Sequence, residues 1–138
     1  MAKQDTITLI SFNDHIQSLE VHLSLEASYA MQSERYHSAE IELKSDFVSG
    51  RVSLQISLRD LDDWERCLTS LNADEGIEWP AGGRSAWLAV TPDDPVEVTV
   101  HDSPSTQISV RIPIDVDDDW LDDSRRRLAF ARNAIARE

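Results

Sequence analysis

The sequence is poor in the features that mark secreted and membrane proteins. Cys67 is the single cysteine among 138 residues, which excludes an internal disulfide and favours a reducing compartment. The N-terminus lacks the long apolar core of a signal peptide. No run approaches the ~18–20 apolar residues that a membrane-spanning helix needs. We therefore expect a cytoplasmic protein with no membrane partner.

Basic residues are also scarce. Only 13 lysines and arginines balance 26 aspartates and glutamates, so the formal net charge is −13. Such a surface repels the phosphates of nucleic acid and the head groups of anionic membranes, which makes both poor partners. A basic protein is the partner that this charge favours. Acidity also serves solubility alone in many proteins, and both interpretations stay open.

Motifs that carry catalysis or bind cofactors are missing as well. The sequence has no dinucleotide fingerprint, no metalloprotease helix and no serine-nucleophile elbow. Cys67 falls on the apolar stripe of a predicted helix, where a buried structural thiol is expected. The four histidines show no metal-ligand spacing, so we expect them to be solvated. The sequence thus predicts no catalytic residue, no metal and no cofactor.

The clearest pattern present spans residues 48–71. Apolar and polar residues alternate from Val52 to Leu58, which is typical of a strand with one buried face. Ser57 and Asp60 then form a capping-box-like helix start. Apolar residues follow at helical spacing: Leu61, Trp64, Leu68 and Leu71. This stretch predicts a strand that runs directly into an amphipathic helix.

The rest of the chain predicts more of the same sheet and one further helix. Alternating or continuously apolar runs indicate three strands before the central unit and three after it, whereas residues 26–35 have no clean period and are predicted as a loop or a short irregular turn. Residues 77–79 are predicted as a short extended piece. The last helix begins near Asp118 and is expected to bury Trp120, with Phe130 widening its inner face. We predict one α+β domain spanning residues 1–138, with a mainly antiparallel sheet of about seven strands (ββββ-α-βββ-α) and two amphipathic helices.

Some acidic residues are not explained by helix starts or turns. They lie on the polar faces of three predicted strands: Glu20, Glu40, Glu42 and Glu97. If the second, third and sixth strands present these faces together, the four glutamates form one acidic patch. That patch is the predicted binding surface for a basic protein partner.

Two segments carry a resemblance to a known family. FVSGRVSLQISLRDLDDWERCLTSL (Phe47–Leu71) and ISVRIPIDVDDDWLDDSRRRLAFARNAI (Ile108–Ile135) resemble a family of small acidic actinobacterial proteins of unknown function. The resemblance implies the same order of strands and a C-terminal helix that follows acidic residues, and it supplies no catalytic residues. In layout and acidity the chain is also similar to immunity proteins that neutralise polymorphic toxins.

Two classes of function are consistent with these features. The first is a non-catalytic acidic binding module, such as an immunity-type inhibitor or an accessory protein, that binds a basic protein. The alternative is a small-molecule-binding or catalytic domain whose pocket lies between the sheet and the helices. The sequence leaves assembly into a homo-oligomer open.

Overall fold

The computed structural model describes residues 6–31, 34–80, 86–103 and 106–136. Within them, eight strands and two helices follow in the order ββββ-α-ββββ-α. The strands are β1 (Thr6–Asn13), β2 (Ser18–Met31), β3 (Glu34–Lys44), β4 (Ser49–Ile56), β5 (Ile77–Trp79), β6 (Ala86–Thr91), β7 (Val96–Asp102) and β8 (Ile108–Ile114). The helices are α1 (Leu58–Asn72) and α2 (Trp120–Ala136).

The strands form two antiparallel sheets of four, ordered β1-β2-β3-β4 and β5-β6-β7-β8. Within each sheet, strands that are consecutive in the sequence pair with each other, as their short connections allow. This confirms the predicted α+β class, the antiparallel pairing and the two helices. The strand count is eight instead of about seven, because residues 77–79 pair with β6 and form β5. The strands also divide into two sheets, since α1 separates β4 from β5 and the latter pairs with β6.

The prediction of a loop over residues 26–35 is wrong. β2 continues to Met31 and β3 begins at Glu34, so the two strands form a long hairpin. The register shifts between Leu23 and Ala27 and again between Ala27 and Tyr29. Irregularities of this kind insert residues that break the alternation of faces. The part of β2 that follows Leu25 therefore shows no period of two in the sequence.

The two helices cover part of the core by contacting strands. They pack against each other, and α1 also contacts β5 while α2 contacts β1. The rings of Trp64 on α1 and Trp79 on β5 are fully buried, with centroids 5.4 Å apart. Arg132 on α2 joins the helices at the surface, since its guanidinium lies 2.7 Å from Asp62 and 2.8 Å from Glu65 on α1. Within the described residues, neither helix combines the length and apolar character needed to cross a membrane.

The inner face of α2 differs in part from its prediction. Leu128, Ala131 and Ile135 are buried, but Trp120, which was expected to be buried, is only partly so because it is the first residue of the helix. The prediction for Phe130 is wrong, since 62% of its surface is exposed.

Candidate binding surfaces

Three of the four predicted binding residues share one face of the first sheet. In the register of β2 and β3, Glu20 lies opposite Glu42 and His22 lies opposite Glu40. The residues that alternate with them point inward and are 0–5% exposed: Leu19, Val21, Leu23, Ala39, Ile41 and Leu43. The outward face of these two strands is therefore a polar surface on a well-packed support. We call it the sheet face, defined by Glu20, His22, Glu40 and Glu42.

The glutamates of the sheet face lie beside bases of their own sheet. The carboxylate of Glu40 is 3.5 Å from the guanidinium of Arg51, and that of Glu42 is 3.9 Å from Nζ of Lys44. The imidazole of His22 lies between Glu20 and Glu42, at 3.5 and 3.3 Å. Nearby cations offset much of the negative field that these carboxylates would otherwise project.

Glu97 lies elsewhere. It is on β7, opposite Thr91 and Pro113 in the second sheet, and its carboxylate accepts a hydrogen bond from Arg111 at 3.3 Å. The four predicted glutamates therefore do not form one patch of adjacent strands. The difference follows from the division into two sheets, which the alternation of residues along each strand does not encode.

A different acidic surface lies at the end of the molecule where α1 finishes and α2 begins. Three connections meet there: the residues after α1, the turn between β6 and β7, and the segment between β8 and α2. They line a cleft of about 320 Å³. Six aspartates contribute to it: Asp74, Asp93, Asp94, Asp115, Asp117 and Asp118. We call this surface the aspartate cleft.

Among the described residues, the aspartate cleft has none of the bases that accompany the sheet face. No lysine, arginine or histidine is among its described lining residues. Within the part of the chain that the structure describes, none of the six aspartates forms an ion pair with a side chain. All six are exposed. In its local composition, the aspartate cleft is more strongly negative than the sheet face. A cleft lined by one sign of charge also concentrates its electric field.

The floor of the aspartate cleft is apolar and includes an aromatic ring. Trp120 lines it together with Val116 and Leu121, all partly buried. The ring of Trp120 packs edge-to-face on Phe12, with centroids 5.5 Å apart and an interplanar angle of 77°. A partly buried indole beside carboxylates suits a lysine or arginine side chain, because a cation is attracted by both groups.

Asp14, in the turn between β1 and β2, fixes one wall of the cleft. Its carboxylate accepts a hydrogen bond from the backbone N–H of Asp115 at 2.9 Å, and others from Ile16 and Gln17 at 2.7 and 2.8 Å. Burial works to raise the pKa of Asp14, but these hydrogen bonds, with a contribution from His15, outweigh it and lower the pKa. The turn thereby holds the segment that carries three of the aspartates.

An apolar groove separates the exposed edge of the first sheet from that of the second. It has a volume of about 300 Å³ and lies between β3–β4 and β7–β8. Its polar lining includes Arg51, Asp102 and Thr106, and the hydroxyl of Thr106 donates to Asp102 at 2.9 Å. Phe47, at the turn into β4, is 97% exposed. This groove lies between the two sheets and not between a sheet and the helices, where the alternative function placed its pocket.

The remaining candidate groups have structural roles. Burial raises the pKa of Cys67 to about 11 against the opposing effect of Arg66, and its thiol donates weakly to the carbonyl of Glu78 at 3.8 Å. Such a thiol stays protonated at neutral pH and is a poor nucleophile. Cys67 is partly buried, whereas the sequence predicted a buried thiol.

The prediction of solvated histidines is wrong for His37, which is 2% exposed and lies 3.0 Å from the carbonyl of Ser24.

Two comparisons with known proteins bear on the chain. A family model described as a family of unknown function (DUF5959) matches residues 7–136, which confirms the predicted resemblance to a family of unknown function. No curated protein matches the chain. The solved structure of the plant transcriptional regulator PBF-2 is similar, with a TM-score of 0.54 and 14% identity over 98% of this chain and 85% of that chain. At this identity the likeness shows the fold alone.

Proposed function

The chain belongs to this family of unknown function, and we propose that it is a non-catalytic module that binds a basic protein partner in the cytoplasm. An immunity-type inhibitor, which covers a basic site on a toxin, is one form that such a module takes. The aspartate cleft is the observation that carries the proposal. Six aspartates and Trp120 line it, with no ion-pairing base among the described residues.

The chemistry of the aspartate cleft defines the partner. Carboxylates with no neutralising base among the described residues attract a cationic side chain over a distance of about one Debye length, ~10 Å at 0.1 M salt. At contact, the partly buried ring of Trp120 adds a cation–π interaction of about 0.5–2 kcal/mol. Lysine and arginine side chains offer both kinds of contact. We therefore propose that the partner presents a basic loop or helix end to the cleft.

Nucleic acid does not fit this surface. A net charge of −13 opposes contact with phosphates, which supply most of the affinity in such complexes. The description of PBF-2 as a transcriptional regulator does not change this proposal, because 14% identity carries the fold and no function.

The test begins with a pull-down on the immobilised protein, with partners identified by mass spectrometry. The on-rate of a purified partner is then measured by surface plasmon resonance at ~50 and ~500 mM NaCl. We expect a basic partner whose on-rate falls at least about tenfold over this range, because salt screens charge-steered association.

Two charge reversals locate the binding surface. The double variant Asp93→Lys/Asp117→Lys inverts part of the aspartate cleft, and Glu40→Lys/Glu42→Lys makes the same change in net charge on the sheet face. We expect the cleft variant to slow association at least about tenfold and the sheet-face variant to have a smaller effect. A larger effect of the sheet-face variant would place the interface on Glu20, Glu40 and Glu42 instead. A partner whose on-rate ignores salt and both reversals would contradict the proposal and leave acidity as a solubility device.

The apolar groove favours a second candidate, a small-molecule-binding domain. Its volume of about 300 Å³ is at the lower end of the ~300–1,000 Å³ typical of ligand sites. Titration with an apolar fluorescent dye tests this candidate. Saturable binding that Val110→Asp abolishes would support it, and no binding would exclude it for ligands of this size.

A further inference from the structure

One imidazole and two carboxylates meet at a point on the sheet face. Nε2 of His22 lies 3.3 Å from Oε1 of Glu42 and 3.5 Å from Oε1 of Glu20, and one donor atom of each residue lies within 4.8 Å of the other two. Zinc bonds of about 2.0–2.2 Å place tetrahedral ligand atoms about 3.3–3.6 Å apart, so both short separations match. We propose that Glu20, His22 and Glu42 bind a divalent transition-metal ion, and that zinc is the ion this donor set fits.

Neighbouring hydroxyl groups orient two of the three ligands. Oγ1 of Thr8 lies 3.2 Å from Nδ1 of His22, and the hydroxyl of Ser11 donates to Oε2 of Glu20 at 3.0 Å. When Nδ1–H donates to Thr8, Nε2 presents its lone pair to the carboxylates. Outer partners of this kind set the ring orientation of metal-ligating histidines. A lone pair that faces two carboxylates is unfavourable until a cation lies between them.

The three residues lie on strands inside the sheet, while their side chains are accessible from solvent. Glu20 and His22 are on β2 and Glu42 is on β3, both inside the sheet, so neighbouring strands hold each backbone on two sides. The three side chains are 21–33% exposed. An ion can therefore enter from solvent. Three protein ligands also leave a fourth zinc position for water or for a donor from another molecule.

The donor set discriminates among metals. Magnesium and calcium prefer oxygen ligands throughout, whereas imidazole nitrogen favours zinc and its neighbours in the first transition row. The competing explanation is an ordinary ion pair between a protonated His22 and the two glutamates. The two explanations differ in whether the three residues bind zinc at all.

The test uses the untagged chain, because a histidine tag would itself bind zinc. After dialysis against a chelator, zinc is titrated by isothermal calorimetry. We expect one zinc ion per chain, with the affinity weakened at least about tenfold by His22→Ala and by Glu42→Gln. Glu40→Gln is the matched control, since Glu40 is on the same face but its carboxylate contacts Arg51. The zinc affinity of Glu40→Gln should stay within about twofold of that of the unsubstituted chain.

Two further measurements make the result specific. Zinc should shift the imidazole NMR signals of His22 and leave those of His101, on the second sheet, unchanged. Magnesium at ~100-fold higher concentration should not displace zinc. Circular dichroism checks that the variants are folded. If His22→Ala does not fold, Glu42→Gln alone provides the test of the ligands.

Several outcomes would overturn the proposal. They are the absence of zinc binding, unchanged affinity in the ligand variants, equal loss in Glu40→Gln, or equal binding of magnesium. The cleft variant Asp93→Lys/Asp117→Lys should keep its zinc affinity. Failure of the zinc site therefore does not bear on the proposed binding of a basic partner, and the reverse also holds.

Discussion

Two segments of the chain look alike and have different structures. RDLDDW ends at Trp64 and DVDDDW ends at Trp120, and each follows a strand. In the first, the helix begins at Leu58, so Trp64 lies in its second turn and is fully buried. In the second, the helix begins at Trp120 itself, and the ring is only partly buried. Moving the helix start by a few residues changes the tryptophan from a core residue into part of a surface.

The acids of the two segments differ in the same way. Asp60 is 2% exposed, and its carboxylate accepts hydrogen bonds from the backbone N–H and the hydroxyl of Ser57 at 2.9 and 3.3 Å. Its carbonyl also accepts a hydrogen bond from Nε1 of Trp79 at 2.8 Å. Asp117 and Asp118 precede α2, are exposed and line the aspartate cleft. The same residue types stabilise the fold at one helix start and are available for binding at the other.

The largest expected effect in this comparison is at Trp64. Trp64→Ala should lower the free energy of unfolding by about 3–5 kcal/mol, because it removes a fully buried ring from α1. Urea denaturation followed by circular dichroism measures this loss. Trp64→Phe should cost less, since Nε1 of Trp64 has no hydrogen-bond partner among the described residues.

Trp120→Ala is the matched substitution at the other helix start. It should cost only about 1–2 kcal/mol, because part of the ring already contacts solvent. Equal losses at the two tryptophans would show that the two helix starts do not differ as described.

A smaller effect is expected at Asp60. Asp60→Ala should lower the free energy of unfolding by about 1–3 kcal/mol, because the buried N–H of Ser57 loses its acceptor. The control is Asp118→Ala, for which thermal denaturation should show a change within about 0.5 kcal/mol. Similar losses in both variants would mean that Asp118 supports the fold as Asp60 does.

The smallest effect concerns the pH dependence of the α2 start, which Asp14 supports from the β1–β2 turn. The pKa of Asp14 is lowered in the folded chain, so its stabilising contribution is present above the unfolded value of about 3.9 and is lost as the pH falls through the folded value. Asp14→Asn should therefore be less stable than the unsubstituted chain at neutral pH, and the difference should shrink in acid. Urea denaturation at pH ~7 and pH ~3 measures this. A difference that does not change with pH would contradict the role of the Asp14 carboxylate.

Most elements of the fold were accessible from local patterns. The period of two in Val96–Val100 and the helical spacing from Leu61 to Leu71 identify elements whose inner residues are buried. The patterns fail where the pairing is irregular, as at Ala27, and they predict Ile77–Trp79 as extended without identifying it as a strand of the sheet. A short or interrupted strand has too few alternations to be distinguished from a loop.

The candidate sites were less accessible. Glu20 and His22 are two residues apart on one strand, which is a weak signal that they share a face. Their proximity to Glu42 depends on the register of β2 and β3, which the turn and the packing determine. The aspartate cleft joins aspartates that are up to 44 positions apart in the sequence, from Asp74 to Asp118.

By itself, the sequence determined the class of most elements, most of their inner faces, the capping of α1 and the acidic composition, because each depends on residue types at short spacings. Only the tertiary structure decided that the strands form two sheets, that Glu97 lies apart from Glu20, Glu40 and Glu42, and that six aspartates share one cleft. The physical reason is that pairing and packing are long-range. Many registers and sheet divisions satisfy the same local alternation, and the burial of the whole core selects among them.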